Sequence, residues 1–309
     1  MTFDPASASR FKRADAESYD CFTEEFDQFE EIRKPLVETL FAQMDWAGVE
    51  RMLDVGTGTG LIALEAARRL GTTARVYGVD LSDGMLESAR RKAVQRRLDE
   101  KARFLKMDAE ALAFNSQTFD AVVSLFSILH FPNPKQALTE QLRVLRPGGS
   151  ILVALGSGPP LLSIRGLRHR IARAPDLWGL ARGRLLIATS FLETLIERMF
   201  PSDSAAEETE LAAQSKVRGR QVEVLLREAG FTAIRSHWEG YQHTFRDPEQ
   251  FWLLQRVYSS IARKKLSALS DRDRESVKQA FLEICDRVQS RGGRMIYPFA
   301  AHFVQARKP

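Results

Sequence analysis

Between Arg51 and Leu70 the chain changes its hydrophobic period. Met52, Leu53 and Val55 make a short apolar run of strand length. Leu61, Ile62, Leu64, Ala66, Ala67 and Leu70 then recur at the spacing of an amphipathic helix, and Gly56, Gly58 and Gly60 separate the two. The alternation continues downstream. Residues 74–80 read as a second strand, with Ser82 placed to cap the next helix. Residues 102–108 read as a third strand ending at Asp108, and the nearly all-apolar 119–131 as a fourth, buried on both faces. A helix, a Pro-Gly-Gly turn and a fifth strand follow over 137–155, then a helix ending at Gly230 and strands over 232–242 and 294–308. Alternating strands and helices predict an α/β sheet.

Two long stretches interrupt this rhythm. Residues 156–216 are of helical and mixed character after a break at Gly158, Pro159 and Pro160. Residues 247–290 read as helical, with Asp247 before Pro248 as a helix start. At the other end, Phe22, Phe26, Phe29, Ile32 and Leu36 recur at three and four, which predicts an apolar helical stripe. The expected organisation is an N-terminal helical cap (1–48), a core (49–156), a helical insertion (157–216), more core (217–245), a second insertion (246–291) and a last core strand (292–309).

The glycines define a strand–loop–helix nucleotide site of Rossmann type. Glycine permits positive φ and close approach of a ligand, and the following helix points free N–H groups at the loop. The dinucleotide pattern G-x-G-x-x-G fails here, because Leu61 and Ala63 stand where the third glycine belongs. The loop is instead D-x-G-x-G-x-G, with Asp54 placed to meet a cationic ammonium group. Asp80, twenty residues past Gly60, stands where a strand-end carboxylate accepts ribose hydroxyls.

With "LDVGTGTG", "VYGVDLSDGML", "FLKMDAEAL", "FDAVVSLFSILHF" and "LRVLRPGGSILVA" in that order, the chain resembles a class I S-adenosylmethionine (SAM)-dependent methyltransferase of the small-molecule branch over roughly 50–155. The resemblance implies a Rossmann-like, doubly wound, seven-stranded sheet with strand seven antiparallel and helical lid insertions. It implies that Asp54, Gly56, Thr57, Gly58 and Gly60 line the methionine part of the cofactor, and that Asp80 holds the ribose. It puts Leu81 and Met85 beside adenine, Asp108 and the Ala109 backbone at its amino group, and Ser124 beside the methionine moiety. For Leu81 and Met85 plain core packing is a compatible reading, and for Asp108 a simple turn-former competes. Both insertions would leave the ligand-binding edge of the sheet and cover a small-molecule acceptor.

Composition narrows the setting. Of 309 residues 44% are hydrophobic and 28% charged, as in an ordinary soluble globule. No run of eighteen apolar residues and no secretory h-region are found, and the two cysteines, Cys21 and Cys285, make no disulfide scaffold. A cytoplasmic address is expected, and a homodimer is compatible with the sequence. The net charge of +5 is too mild for a dedicated nucleic-acid binder, so no nucleic acid is expected as partner. Six arginines against one acid in 165–184 read first as a solvated face; an anionic substrate or a membrane surface are the sharper readings.

Methyl transfer needs a positioned nucleophile and, at most, a base. His130, at the expected end of strand four, is the leading candidate, against the reading of a histidine that only supports its loop. Tyr19 in the cap, and His243 with Tyr241 after strand six, are further candidates; His237 and His302 read as structural. Neither an Asn/Asp-Pro-Pro-Tyr segment nor a Pro-Cys loop is present, which argues against methylation of exocyclic base amines and of cytosine C5. No metal-ligand cluster is expected. The sequence thus predicts transfer to O, N or C of a small, fairly apolar acceptor. The alternatives are an RNA- or protein-modifying methyltransferase using 165–184, and a non-catalytic protein that binds SAM or its product S-adenosylhomocysteine (SAH).

Overall fold

A computed structural model describes residues 5–20, 22–156, 158, 185–187, 190–201 and 219–309. The arginine-rich stretch 165–184, with His169, lies outside the described residues, as does most of the first insertion. The chain divides into two compact units. One comprises 1–157, 212–239 and 301–309, the other 158–211 and 240–300.

In the first unit β1 (Arg51–Val55), β2 (Arg75–Asp80), β3 (Ala102–Lys106), β4 (Phe119–Leu125) and β5 (Leu145–Gly156) stand in the order 3-2-1-4-5, all parallel. The last strand, β8 (Arg294–Arg307), pairs antiparallel with β5 from Ser150↔Arg307 to Gly156↔Ala301. This is the antiparallel seventh strand expected from the sequence. The expected sixth strand is β7 (Thr232–Phe245), which pairs with β8. Met52, Leu53, Val55, Phe119, Val122, Ile151 and Val153 are buried, because strands with helices on both faces have no wet side. The crossover helices are α4 (Leu61–Arg69), α5 (Asp83–Gln95), α6 (Pro134–Val144) and α8 (Gly219–Ala229). The Ser82 hydroxyl accepts from Met85 N at 3.1 Å and so caps α5, as predicted.

The N-terminal region forms three helices, α1 (Pro5–Asp20), α2 (Thr23–Asp27) and α3 (Glu30–Gln43), and the apolar stripe falls on the last two, interrupted at Phe29. Polar bonds tie them to the core. Lys92 pairs with Asp27 and Glu30 at 2.8 and 3.2 Å, and Asp20 accepts from Ser82 Oγ and Gly84 N.

Three local readings are corrected. Strand three ends at Lys106, and Asp108 lies beyond it, in a single bridge to Ala111. Strand four ends at Leu125 rather than running to 131; Phe126 adopts a left-handed φ of 60° and Ile128–His130 form a 3-10 turn. The hydroxyl of Ser127, bonded to Val55 O at 2.9 Å, turns the chain there. The Pro-Gly-Gly segment is an irregularity inside β5 rather than a turn before it.

In the second unit β6 (Leu185–Ile187), which the hydrophobic pattern did not reveal, runs parallel to residues 294–296 of β8. Its helices are α7 (Phe191–Met199), α9 (Pro248–Tyr258), α10 (Ser260–Ala268) and α11 (Asp271–Ser290). The stretch read as one helical segment therefore breaks twice. Ser259 and Ser270 make the breaks, each accepting a bond from a backbone N–H three residues on. Phe281 centres the core of this unit, with the rings of Phe191, Trp252 and Phe251 at 5.1, 5.2 and 5.7 Å. Cys285 is buried beside it, and burial pushes its thiol up to about 12, so it is inert at neutral pH. Among the described residues no helix is long and apolar enough to cross a membrane.

Candidate active site

The site is built where β1 and β2 end. Gly56 N and Thr57 N both donate to Val79 O, at 2.8 and 3.0 Å, which folds the glycine loop back over the end of β2. Gly56 has φ +71°, and a Cβ there would stand 2.2 Å from the Cβ of Ser127. Gly58 has φ +54°, and nothing lies within 4 Å of the place of its missing Cβ. Its side of the loop is open space, held by a residue that must be glycine for conformational reasons alone.

Two carboxyls face this loop. Asp54 is 1% exposed and accepts from Thr57 Oγ1 at 2.7 Å. Burial, with the negative charge of Asp80 adding to it and the Thr57 bond opposing it, pushes Asp54 up to about 7. Among the described residues no lysine or arginine pairs with it. Asp80 accepts from Gly58 N at 2.8 Å on Oδ2, and from Leu81 N and Ser82 N at 2.8 and 3.1 Å on Oδ1. Burial raises its pKa; the three backbone bonds and the nearby charge of His130 oppose this. Oδ2 keeps a lone pair for a ligand hydroxyl.

Flanking positions complete the edge. Met85 is 2% exposed and Leu81 half-buried. Ala109 is buried, and Asp108 accepts from Glu110 N at 2.9 Å while Lys12 of α1 pairs with it at 2.7 Å. Ser124 is buried and shares a 2.5 Å hydrogen bond with Ser127. Ser127 therefore links β4, Val55 O and Gly56, a role the sequence reading missed; only the close packing against Gly56 reveals it.

The structure brings Tyr19 and His130 together. Tyr19 Oη lies 3.4 Å from His130 Nε2, with the rings edge to face at 5.7 Å. Asp15, also missed from sequence, stands on the far side of the imidazole. Its signal was the four-residue spacing to Tyr19, which puts both on one helix face. His243 belongs to the second unit, half-buried on β7 with its ring 4.8 Å from Phe245, and burial lowers its pKa. Tyr241, in the same unit, stacks on Phe299 at 5.4 Å. His237 faces Glu239 at 3.4 Å and His302 faces Glu223 at 3.8 Å, both in the first unit. Among the described residues no group of three or more histidines, cysteines and acids could hold a metal ion.

The donors and acceptors fit a nucleoside carrying an ammonium group. There is a buried carboxyl that no lysine or arginine among the described residues pairs with, a second carboxyl at a strand end, and an open glycine loop between them. Comparison with known proteins agrees. A methyltransferase-domain family matches residues 53–153. A demethylmenaquinone methyltransferase of Thermus thermophilus is 40% identical over 172 residues, covering 55% of this chain and 76% of its own length. A ubiquinone/menaquinone biosynthesis C-methyltransferase, UbiE, of Rhodopseudomonas palustris is 41% identical over 102 residues, covering 33% of this chain and 40% of its own length. Among solved structures, the [4+2]-cyclase SpnF superposes with a TM-score of 0.51 at 22% identity, over 89% of this chain and 80% of that one. The YcgJ protein of Bacillus subtilis gives 0.51 at 18% identity, over 88% and 97%. These two structures share the fold. The chain belongs to the class I SAM-dependent methyltransferases, and it is an enzyme of that kind.

Proposed function

We propose that this methyltransferase acts on a small, fairly apolar acceptor of the hydroquinone type, at a ring carbon. Two kinds of observation support the reading. The relatives named for menaquinone and ubiquinone biosynthesis supply the acceptor class. The pairing of Tyr19 with His130 on the edge that carries Asp54 and Asp80 supplies the chemistry, and it carries the proposal. The RNA- or protein-modifying alternative rests on 165–184, outside the described residues.

Bound SAM would supply an electrophilic sulfonium methyl group open to in-line attack. In this reading Asp54 pairs with the cofactor ammonium, and Gly56, Thr57, Gly58, Gly60 and Ser124 line the methionine part. Asp80 accepts the ribose hydroxyls. Leu81 and Met85 flank adenine, with Asp108 and Ala109 at its amino group. His130 Nε2, or the Tyr19 hydroxyl through it, takes the proton of an acceptor hydroxyl, which raises electron density at the neighbouring ring carbon.

The test is methyl transfer from SAM to short-chain demethylmenaquinol, followed by mass spectrometry, beside catechol, sterol and amine acceptors. A gain of one methyl on the naphthoquinol ring, lost in His130→Gln, is expected. Turnover confined to an amine or a sterol would overturn the acceptor class, and unchanged turnover in His130→Gln would remove the histidine from the mechanism.

A further inference from the structure

The imidazole of His130 is held from both sides. Its Nδ1 lies 2.9 Å from Asp15 Oδ2, and its Nε2 lies 3.4 Å from Tyr19 Oη. The Asp15 side chain is 8% exposed and that of His130 28%. A carboxylate so far out of water is costly unless it is bonded. With Asp15 ionised, its carboxylate can only accept, and the proton between it and His130 then sits on Nδ1. A neutral imidazole protonated on Nδ1 has its lone pair on Nε2, which faces the Tyr19 hydroxyl.

The helix carrying Asp15 is anchored on both sides of it. Three residues earlier, Lys12 pairs with Asp108 at 2.7 Å and with Glu110 at 2.6 Å. Five residues later, Asp20 accepts from Ser82 Oγ at 2.5 Å and from Gly84 N at 2.9 Å. These bonds join α1 to two separate segments at the ligand-binding edge of the sheet, one after β2 and one after β3. Asp15 therefore has a fixed position relative to His130, as orientation of a catalytic ring demands.

From this geometry we infer that Asp15 is a positioning residue: it holds His130 in the Nδ1–H tautomer, so that Nε2 is the basic atom presented to Tyr19 and to the acceptor. The inference rests on the reading of His130 as a residue of the methyl-transfer site. A residue that merely docked α1 would not select a tautomer.

The experiment is long-range 1H–15N NMR on the full chain labelled at histidine, at a pH where the imidazole is neutral. The His130 signals are assigned by their loss in His130→Gln. The wild-type protein is expected to show a protonated Nδ1 and an unprotonated Nε2. Asp15→Leu, which removes the acceptor, is expected to lose that signature. Asp15→Asn, which keeps an acceptor oxygen, and Tyr19→Phe are expected to retain it. A wild-type spectrum with the proton on Nε2 overturns the proposal whatever the variants do, including when Asp15→Leu fails to fold. So does a folded Asp15→Leu that keeps the wild-type tautomer. Failure of the site reading shows separately, as methyl transfer unaffected by His130→Gln, and leaves the tautomer result standing.

Discussion

Replacing Asp54 by asparagine separates what stabilises this protein from what lets it bind. Burial moves the carboxyl from an ordinary 3.8 to about 7. The folded chain therefore keeps a proton that the unfolded chain gives up as pH passes 3.8. The stabilisation is full below 3.8, falls as pH rises toward 7, and levels off above it. At about 1.4 kcal/mol per tenfold change in equilibrium, the ionised, ligand-free protein at pH 8 is about 4 kcal/mol less stable than it would be with this group neutral and pH-independent. At pH 5 the same loss is about 2 kcal/mol. Asparagine has no charge to desolvate, and groups that do not interact with Asp54 cancel in the comparison; Asp80, whose charge adds to the Asp54 shift, is relieved in the variant as well. The stability difference between Asp54→Asn and wild type should thus grow in favour of the variant by about 2 kcal/mol between pH 5 and pH 8. Urea unfolding of both proteins without cofactor, at several pH values, measures it directly. SAH titrated into the same samples should bind the variant at least roughly tenfold more weakly, because the ammonium loses its charged partner. Parallel stability curves from pH 5 to pH 8 would refute the reasoning, since they would mean that Asp54 titrates normally in the folded chain.

Other perturbations follow from the same structure. Asp80→Asn should weaken SAH binding by about 1.5–3 kcal/mol in calorimetry, because its amide cannot accept from Gly58 N, Leu81 N and ligand hydroxyls as a carboxylate does; an unchanged affinity would detach Asp80 from the cofactor. Gly56→Ala puts a methyl 2.2 Å from Ser127 Cβ, so thermal stability and SAH affinity should fall together; a variant with wild-type values of both would refute the packing argument. Phe281→Ala should destabilise the second unit by about 3–5 kcal/mol, measured by hydrogen exchange in α9 and α11, through loss of contacts to Phe191, Phe251 and Trp252. Exchange rates left as in wild type would show that this core does not depend on the ring.

By itself the sequence determined the alternation of strands and helices, the glycine loop, the carboxylates at positions 54 and 80 and the capping residues, because these are set by period and by local backbone chemistry. It could not resolve the end of β4, where a nearly unbroken apolar run hides a turn made by a Ser127 bond to a residue 72 positions earlier. Nor could it join the cap to the site. Tyr19 and His130 were each visible as candidates, but their contact spans 111 residues, and the buried Asp15 behind them lies 115 from His130. Such pairs carry no period. They exist only because α1 is tied down on the loops after β2, β3 and β4, and only the folded chain decides which distant side chains share a proton.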